Sequence, residues 1–224
     1  MPSKSHLRLL ALALPTLAAA GFVVAHGDVA PQPVDTAGLP ATGDEWLLEN
    51  PYRAAGDEVW RKAIDIGASG YNQNCARCHG LEVVSGGLAP DLRYLEADEY
   101  GDEWYVERFD LGYTQGGVTK MPAFGELLGQ EAAWAIRTYI ETRPDEESMA
   151  DNLETLSALR DTLNGWAEGG PVDDVDGVKA QLRAIAETIE TGSGAPIADS
   201  VALRAADSLE QGADGVPKAA EILT

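Results

Sequence analysis

The stretch Asn74 to Gly80 reads NCARCHG and contains both cysteines of the chain. Cys75 and Cys78 are separated by two residues, and His79 follows directly. Two thiols and an imidazole this close together occur in a disulfide, a thiol redox pair, half of a zinc site or the attachment point of a covalent cofactor. Each of these chemistries requires different neighbours, so the motif constrains what the rest of the chain must fold around.

Residues 1–25 predict that the chain is exported. Basic residues precede an apolar run that ends in the small-residue pattern recognised by signal peptidase. The run contains Pro15 and falls short of the roughly 20 apolar residues that span a bilayer. We therefore expect cleavage after Ala25, or alternatively after Ala20, rather than an uncleaved anchor. The mature protein would be periplasmic, with no stable membrane insertion.

The residues around the motif favour one of its chemistries. C-x-x-C-H is the attachment pattern of haem c, in which two thiols add to two vinyl groups and the histidine lies beneath the iron. A zinc site needs about four nitrogen or sulfur ligands, but His6 lies in the signal and His26 at the new N-terminus. A thioredoxin-type pair would follow a strand within a βαβ pattern, which is missing here. The sequence therefore predicts one covalent haem c, bound through Cys75 and Cys78 with His79 as iron ligand.

The approach to the motif predicts a helix over 57–79. The residues that recur at every fourth position, and so share one helix face, are Ala63, Gly67, Tyr71 and Cys75. Glycine inside a helix costs about 1 kcal/mol relative to alanine, so Gly67 indicates that another helix crosses closely there. The candidate is 130–142, which has an apolar stripe. Spacing alone leaves open that the two helices do not touch.

An electron-transfer haem needs a second axial ligand, and methionine is the candidate. His26 lies at the start of a proline-rich leader, where we do not expect an ordered ligand. Met121 lies in the glycine-rich loop TQGGVTKMPAFGELL beside Pro122, whereas Met149 lies in a charged stretch. Methionine usually fills a core, but a polar loop offers little core to fill. We therefore expect Met121 to be the ligand.

Pro90 is a candidate acceptor for the free ring N–H of His79. It lies in SGGLAPD, residues 85–91. A haem-ligating histidine normally donates its free N–H to such an acceptor, which fixes its tautomer and raises its basicity. An ordinary Pro-Asp turn accounts for the same residues equally well. The residues alone leave both interpretations open.

The chain is strongly acidic. It has 16 basic and 37 acidic residues and a net charge of −21, which becomes −23 if Lys4 and Arg8 are removed with the signal. This charge repels nucleic acid. It fits either steering toward a partner with a basic surface or solubility in a salty medium. A hydrophobic content of 45% indicates a folded chain rather than a disordered acidic one.

Three stretches, IGASGYNQNCARCHG, GGLAPDLRYL and MPAFGELLGQEAAWAIRTYI, together resemble class I c-type cytochromes. The similarity covers residues 25–142 and is greatest to the members that accept electrons from PQQ-dependent (quinoprotein) ethanol dehydrogenases. It implies an all-α fold around a haem crevice, with His79 and Met121 as axial ligands and the Pro90 carbonyl as the partner of His79. It also implies that electrons pass from a quinoprotein dehydrogenase toward a terminal oxidase or another cytochrome.

A haem enzyme or gas sensor with a labile sixth ligand is the alternative function. Such a protein needs an acid–base group near the distal face of the haem. The mature sequence has no histidine left for that role, and Arg93 and Arg108 stay protonated at neutral pH. We therefore expect an electron-transfer protein and not an enzyme.

Residues 151–224 lie beyond the resemblance. Three periodic apolar segments, each followed by a glycine, predict three helices in a small bundle. The third segment depends on Ile197, Val201, Ala205 and Leu209, and the predicted helix stops are Gly165, Gly192 and Gly212. Residues 143–147 read as a helix stop and a charged linker, so we expect the extension to be separable. The predicted organisation is a signal peptide at 1–25, a leader at 26–56, a haem domain at 57–147 and an acidic helical extension at 148–224.

Overall fold

A computed structural model describes residues 31–224. In this part of the chain the fold is all-α apart from one hairpin, as the sequence predicts. The helices are α1 (Asp57–Asn74), α2 (Ala76–His79), α3 (Glu99–Leu111), α4 (Gly125–Glu141), α5 (Glu146–Ala167), α6 (Val175–Thr188), α7 (Val201–Ser208) and α8 (Val216–Ile222). The antiparallel strands are β1 (Tyr113–Gln115) and β2 (Val118–Met121). Short 3₁₀ turns are found at Leu81–Val83, Leu92–Tyr94 and Leu209–Gly215.

The expectations for the first 30 residues are not addressed by this structure. The predicted signal peptide at 1–25, its two candidate cleavage sites and His26 all lie outside the described residues. Between residues 31 and 224, none of the helices has both the length and the apolar character needed to cross a membrane.

Helices α1 and α4 cross at Gly67, which agrees with the interpretation of Gly67 that the spacing alone had left open. A Cβ atom on Gly67 would lie 2.0 Å from the carbonyl oxygen of Ala135 and 2.9 Å from the Cβ of Tyr139. Only the bare backbone of glycine permits this approach. On the α4 side, residues 132–136 are completely or almost completely buried. The crossing therefore lies at the centre of the core formed by α1, α3 and α4.

The boundaries of both helices differ from the prediction. The predicted helix over 57–79 is divided at Cys75 (φ −113°, ψ −38°), which ends α1 and precedes α2. Helix α4 begins at Gly125 rather than at residue 130, and Gly129 interrupts it with a φ of +78°. Such an angle is readily adopted only by glycine, so Gly129 lets the chain turn within α4 ahead of the fully buried residues 132–136.

The proline-rich leader packs along α4. The side chain of Gln130 accepts a hydrogen bond from the amide of Leu47 (2.6 Å) and donates to the carbonyls of Gly43 (3.3 Å) and Glu45 (3.0 Å). Tyr52 is completely buried, and its hydroxyl donates to the carbonyl of Pro40 at 2.9 Å. Residues 43–52 are therefore an ordered layer over α4.

Four buried or nearly buried charges join the leader, α3 and α4. Arg53 contacts Asp102 at 2.8 Å and Glu141 at 2.7 Å, and Arg137 contacts Asp102 at 2.8 Å. The side chains of Asp102, Arg137 and Glu141 are fully buried. Two positive and two negative charges balance, which is what burial of ions requires. We call this group the charge quartet.

The extension has four α-helices and not the predicted three. Leu156, Leu163 and Leu182 of α5 and α6 lie in its core, as their periodicity predicts. The third predicted segment is wrong at its start, because Ile197 and Val201 are exposed. The Ser200 side chain caps α7 by accepting from the amide of Leu203 (3.2 Å), which leaves Ile197 outside the helix.

Two further details of the extension correct the sequence prediction. Gly165 does not end α5, which continues to Ala167. The helix stop predicted at 143–147 is present, because α4 ends at Glu141. The charged linker is not, because α5 already begins at Glu146, where the carboxylate of Asp145 accepts from the amides of Glu147 (3.0 Å) and Ser148 (3.1 Å). The proposed boundary between residues 147 and 148 therefore falls in the first turn of a helix, and the separability of the extension remains a prediction.

We expect Gly67→Ala to lower the free energy of unfolding by about 3 kcal/mol, because the new methyl group forces α1 and α4 apart in a packed core. The matched control is Gly165→Ala, at an exposed helical position where an added Cβ meets nothing within 4 Å. The control should raise stability by roughly 0.5–1 kcal/mol through helix propensity. Urea unfolding followed by circular dichroism measures both, and equal stability of the two variants would contradict the close crossing.

Candidate functional site

The junction of α1 and α2 places both thiols and the imidazole on one wall of a cavity. The amide of Cys75 donates to the carbonyl of Tyr71 at 2.7 Å, and the amides of Cys78 and His79 both donate to the carbonyl of Cys75 at 3.0 Å. Cys75 is half-buried and Cys78 is exposed, and no disulfide joins them. One helical turn therefore presents all three groups of the motif to the same space.

Tyr71 fixes the end of the motif. Its side chain is completely buried, and its hydroxyl donates to the carbonyl of Gly80 at 2.9 Å. Burial raises the pKa of Tyr71, so the phenol stays protonated and remains a donor at neutral pH. The sequence placed Tyr71 on the face of α1 that leads to the motif but did not predict this bond.

His79 faces the carbonyl of Pro90. Its ring Nδ1 lies 2.9 Å from the carbonyl oxygen. A carbonyl can only accept, so Nδ1 carries the proton and Nε2 keeps its lone pair. Burial lowers the pKa of His79 even though the hydrogen bond to Pro90 opposes the change. The neutral imidazole, which is the form that binds metal ions, is therefore favoured.

Asp91 anchors the loop that carries Pro90. Its carboxylate accepts from the backbone amides of Ser85 (3.3 Å) and Arg93 (3.1 Å) and from the Arg93 guanidinium at 3.0 and 2.8 Å. Partial burial raises the pKa of Asp91, but the bonds from Arg93 and Ser85 outweigh it, and the pKa is lowered overall. An ionised Asp91 thus holds the loop beside His79.

Met121 reaches the same cavity from the end of the hairpin. Gly116 and Gly117 form its turn with φ angles of +59° and +77°. Gly112, at φ +71°, packs directly against Met121. A Cβ added to Gly112 would lie 2.5 Å from the Met121 carbonyl oxygen. Met149 packs instead against the core of the extension and does not line the cavity. The hairpin therefore brings Met121, and not Met149, to the space that His79 faces.

The cavity has a volume of about 570 Å³. Besides the motif and Met121, its lining includes the apolar and aromatic residues Leu92, Tyr105, Phe109, Phe124 and Ile140 and the cations Arg77, Arg108 and Lys120. Among the described residues that line it, none is a carboxylate. This set of groups fits haem. The thiols can form covalent bonds, the imidazole and the thioether can bind iron, the apolar walls can hold the macrocycle, and the cations can pair with its carboxylates.

Helix α3 supplies a wall of the cavity that the sequence analysis missed. Tyr105 and Phe109 are almost completely buried, and their rings are 5.7 Å apart. Trp104 and Arg108 lie beside them, with the guanidinium 4.3 Å from the centre of the indole ring. The spacing of Tyr105 and Phe109, four residues apart, was the available signal. Acidic residues interrupt the apolar pattern of α3 on both sides.

Fold and site together define a c-type cytochrome, a protein in which a haem held by a C-x-x-C-H motif carries electrons. The family described as cytochrome c oxidase, cbb3-type, subunit III matches residues 62–140. A cytochrome c550 of Pseudomonas aeruginosa is 51% identical over 134 residues, which cover 90% of that protein and 58% of this chain. The chain belongs to the cytochrome c550 family.

Two larger proteins contain a segment similar to this chain. The quinohemoprotein alcohol dehydrogenase ADH IIB of Pseudomonas putida is 32% identical over 113 residues, half of this chain and 15% of that protein. The quinohemoprotein alcohol dehydrogenase ADH-IIG of the same species is 34% identical over 99 residues, 43% of this chain and 13% of that protein. No solved structure matches the chain significantly.

Membership of this family establishes the cofactor and the kind of activity. The protein binds haem c covalently and is an electron-transfer protein rather than an enzyme. The prediction of haem c is thereby confirmed. The individual roles of Cys75, Cys78, His79, Pro90 and Met121 remain predictions.

The Asp91 carboxylate should stabilise the fold in a pH-dependent way. Its pKa is lowered in the folded protein, so its stabilising effect is complete above the unfolded value of about 3.9 and disappears as pH falls through the lower folded value. We expect Asp91→Asn to be less stable than the unmodified protein at neutral pH. The difference in free energy of unfolding should shrink below about pH 4. Denaturant titrations between neutral and acidic pH measure it, and a difference that does not depend on pH would contradict this role of Asp91.

Proposed function

We propose that the protein is a periplasmic carrier of single electrons whose haem iron is ligated by His79 and Met121. The observation that supports this most directly is the 2.9 Å contact between Nδ1 of His79 and the Pro90 carbonyl. That contact leaves Nε2 available to a metal, and Met121 lines the same cavity. Histidine and methionine together are the ligand pair of electron-transfer haem c.

Each site residue has a defined task in this proposal. The thiols of Cys75 and Cys78 form the thioether bonds, and the Pro90 carbonyl keeps the proton on Nδ1 and raises the basicity of the imidazole. The apolar walls exclude water from the crevice. Bound haem supplies a one-electron couple between ferric and ferrous iron. His79 and Met121 would together hold the iron and would leave no position on it for a substrate.

The proposed electron donor is a quinoprotein (PQQ) alcohol dehydrogenase. Support comes from the similarity of this chain to segments of two quinohemoprotein alcohol dehydrogenases, ADH IIB and ADH-IIG. The proposed acceptor is a terminal oxidase or another cytochrome. A net charge of −21 favours partners whose docking surfaces are basic.

The proposed organisation has a signal peptide at 1–25, which accounts for export, and a leader at 26–56. A haem domain at 57–147 follows, and 148–224 form the extension. All residues that line the cavity fall between 74 and 140, which supports the haem-domain limits.

Met121→Ala should abolish the weak sulfur-to-iron charge-transfer absorption of the oxidised protein and lower the reduction potential, because a thioether ligand favours ferrous iron. Met149→Ala is the matched control, since Met149 packs in the extension core and does not reach the cavity. It should leave absorption and potential unchanged. Absorption spectra and potentiometric titration measure both, and the reverse result for the two variants would refute Met121 as ligand.

Reduction by a purified PQQ-dependent alcohol dehydrogenase should slow as ionic strength rises. The reason is that the Debye length falls from about 30 Å at 0.01 M to about 3 Å at 1 M, which screens long-range steering. Stopped-flow absorbance of the haem measures the rate. A rate that stays flat or rises with salt would show that the acidic surface serves solubility rather than docking.

A further inference from the structure

Residues 189–200 connect α6 and α7 and dock on the end of α4; we call them the docking segment. The amide of Asp199 donates to the carbonyl of Thr142 at 2.9 Å, and the Ser193 hydroxyl donates to the carbonyl of Glu141 at 2.5 Å. Helix C-termini leave carbonyls without a partner in the helix. The docking segment therefore completes the hydrogen bonding of α4.

The docking segment also contacts the chain that follows the C-x-x-C-H motif, residues 80–97, which we call the histidine segment. The amide of Ala97 donates to the carbonyl of Ser193 at 2.9 Å. Gly192 lies so close that an added Cβ would be 2.9 Å from the Arg93 carbonyl oxygen and 3.1 Å from the Tyr94 ring. The C-terminal end of the histidine segment thus rests on the extension.

The docking segment contacts the N-terminal end of the histidine segment indirectly, through the buried ion pair of Asp199 and Arg143. Asp199, 5% exposed, binds the guanidinium of Arg143, which lies 4.1 Å from the centre of the Tyr139 ring. The Tyr139 hydroxyl donates to the carboxylate of Glu82 at 3.2 Å, and Arg143 contacts the same carboxylate at 3.5 Å. Asp199 therefore holds Arg143, which lies over the Tyr139 ring and itself contacts Glu82.

The backbone at this point needs such support. Glu82 and Val83 have φ angles of +53° and +65°. Left-handed backbone is unfavourable for residues with a side chain, and most of all for a β-branched residue such as valine. A strained turn persists only where its surroundings hold it. Contacts to Glu82 from Tyr139 and Arg143 therefore bear on the position of the chain that leads from His79 to Pro90.

We propose that the docking segment is a positioning element of the electron carrier. It holds both ends of the histidine segment, and in this way it fixes the Pro90 carbonyl against His79. The inference rests on the proposed ligation of iron by His79. The strength of the bond from Nδ1 to Pro90 sets the basicity of the ligand and thereby the reduction potential, so residues of the extension tune a haem that they do not touch.

Gly192→Ala tests the proposal without changing any charge. The added methyl group displaces Arg93 and Tyr94, so amide hydrogen exchange at Val84 and Leu95 should become about tenfold faster, equivalent to about 1.4 kcal/mol of local opening. The weaker bond to His79 should also raise the reduction potential. Gly165→Ala, in the same extension but facing open space, should change neither quantity.

Asp199→Ala provides a second test, which loosens the contact instead of crowding it. We expect the same faster exchange at Val84 and a higher potential. The control is Asp207→Ala, because Asp207 also pairs the extension with the haem domain, through Arg61 of α1, but does not touch the histidine segment. If the two aspartate variants change exchange and potential equally, Asp199 only helps to attach the extension to the haem domain, and the proposal is wrong.

The readouts separate this inference from the proposed function. Faster exchange together with a higher potential in Gly192→Ala and Asp199→Ala, but not in their controls, supports the positioning role. Unchanged exchange overturns it, and so does faster exchange without a change in potential. The proposed ligation of iron by His79 and Met121 is tested separately. If it is wrong, Met121→Ala will not lose the sulfur-to-iron absorption relative to the unmodified protein, and this result does not depend on the extension.

Discussion

The close approach of α1 and α4 at Gly67 and Ala135 determines where the two sides of the haem crevice lie. Helix α1 leads directly into Cys75 and His79, whereas Met121 and Phe124 immediately precede α4. With no side chain at Gly67, the two helices meet backbone to backbone, and residues 132–136 of α4 are buried there. A bulkier contact at this point would move the C-x-x-C-H motif away from the hairpin that carries Met121.

The surroundings of α4 show how one helix organises the molecule. The leader covers one side of it through Gln130, and α1 covers another at Gly67. The docking segment donates hydrogen bonds to the carbonyls at the C-terminal end of α4. Charge is distributed unevenly around this frame, since the chain is acidic overall but the charged residues lining the crevice are Arg77, Arg108 and Lys120. The crevice therefore differs in the sign of its charged residues from the chain as a whole.

The sequence predicted features that are governed by local chemistry. Haem attachment sets the spacing of Cys75, Cys78 and His79, and a tight helix crossing demands glycine at one position. The contact of His79 with Pro90 was one of two interpretations left open, and the geometry agrees with the one implied by the family resemblance. The roles of these residues toward iron are still predictions.

Features that depend on distant partners could not be predicted in the same way. The wall formed by α3 was missed because acidic residues interrupt its apolar pattern. The third helix of the extension was placed too early, since apolar spacing does not reveal that the hydroxyl of Ser200 caps α7. Two contacts of the docking segment, those of Asp199 with Thr142 and of Ala97 with Ser193, are between backbone groups, which leave no signature in the order of side chains.

The charge quartet has a consequence for how this sequence can vary. Removing one member of a buried ion pair leaves an uncompensated charge at a cost of about 3–5 kcal/mol, whereas replacing a whole group with apolar residues of similar volume is often neutral. Arg53, Asp102, Arg137 and Glu141 come from three separate parts of the chain, yet each is tolerable only with the others. We therefore expect related sequences either to keep all four residues or to replace all four together.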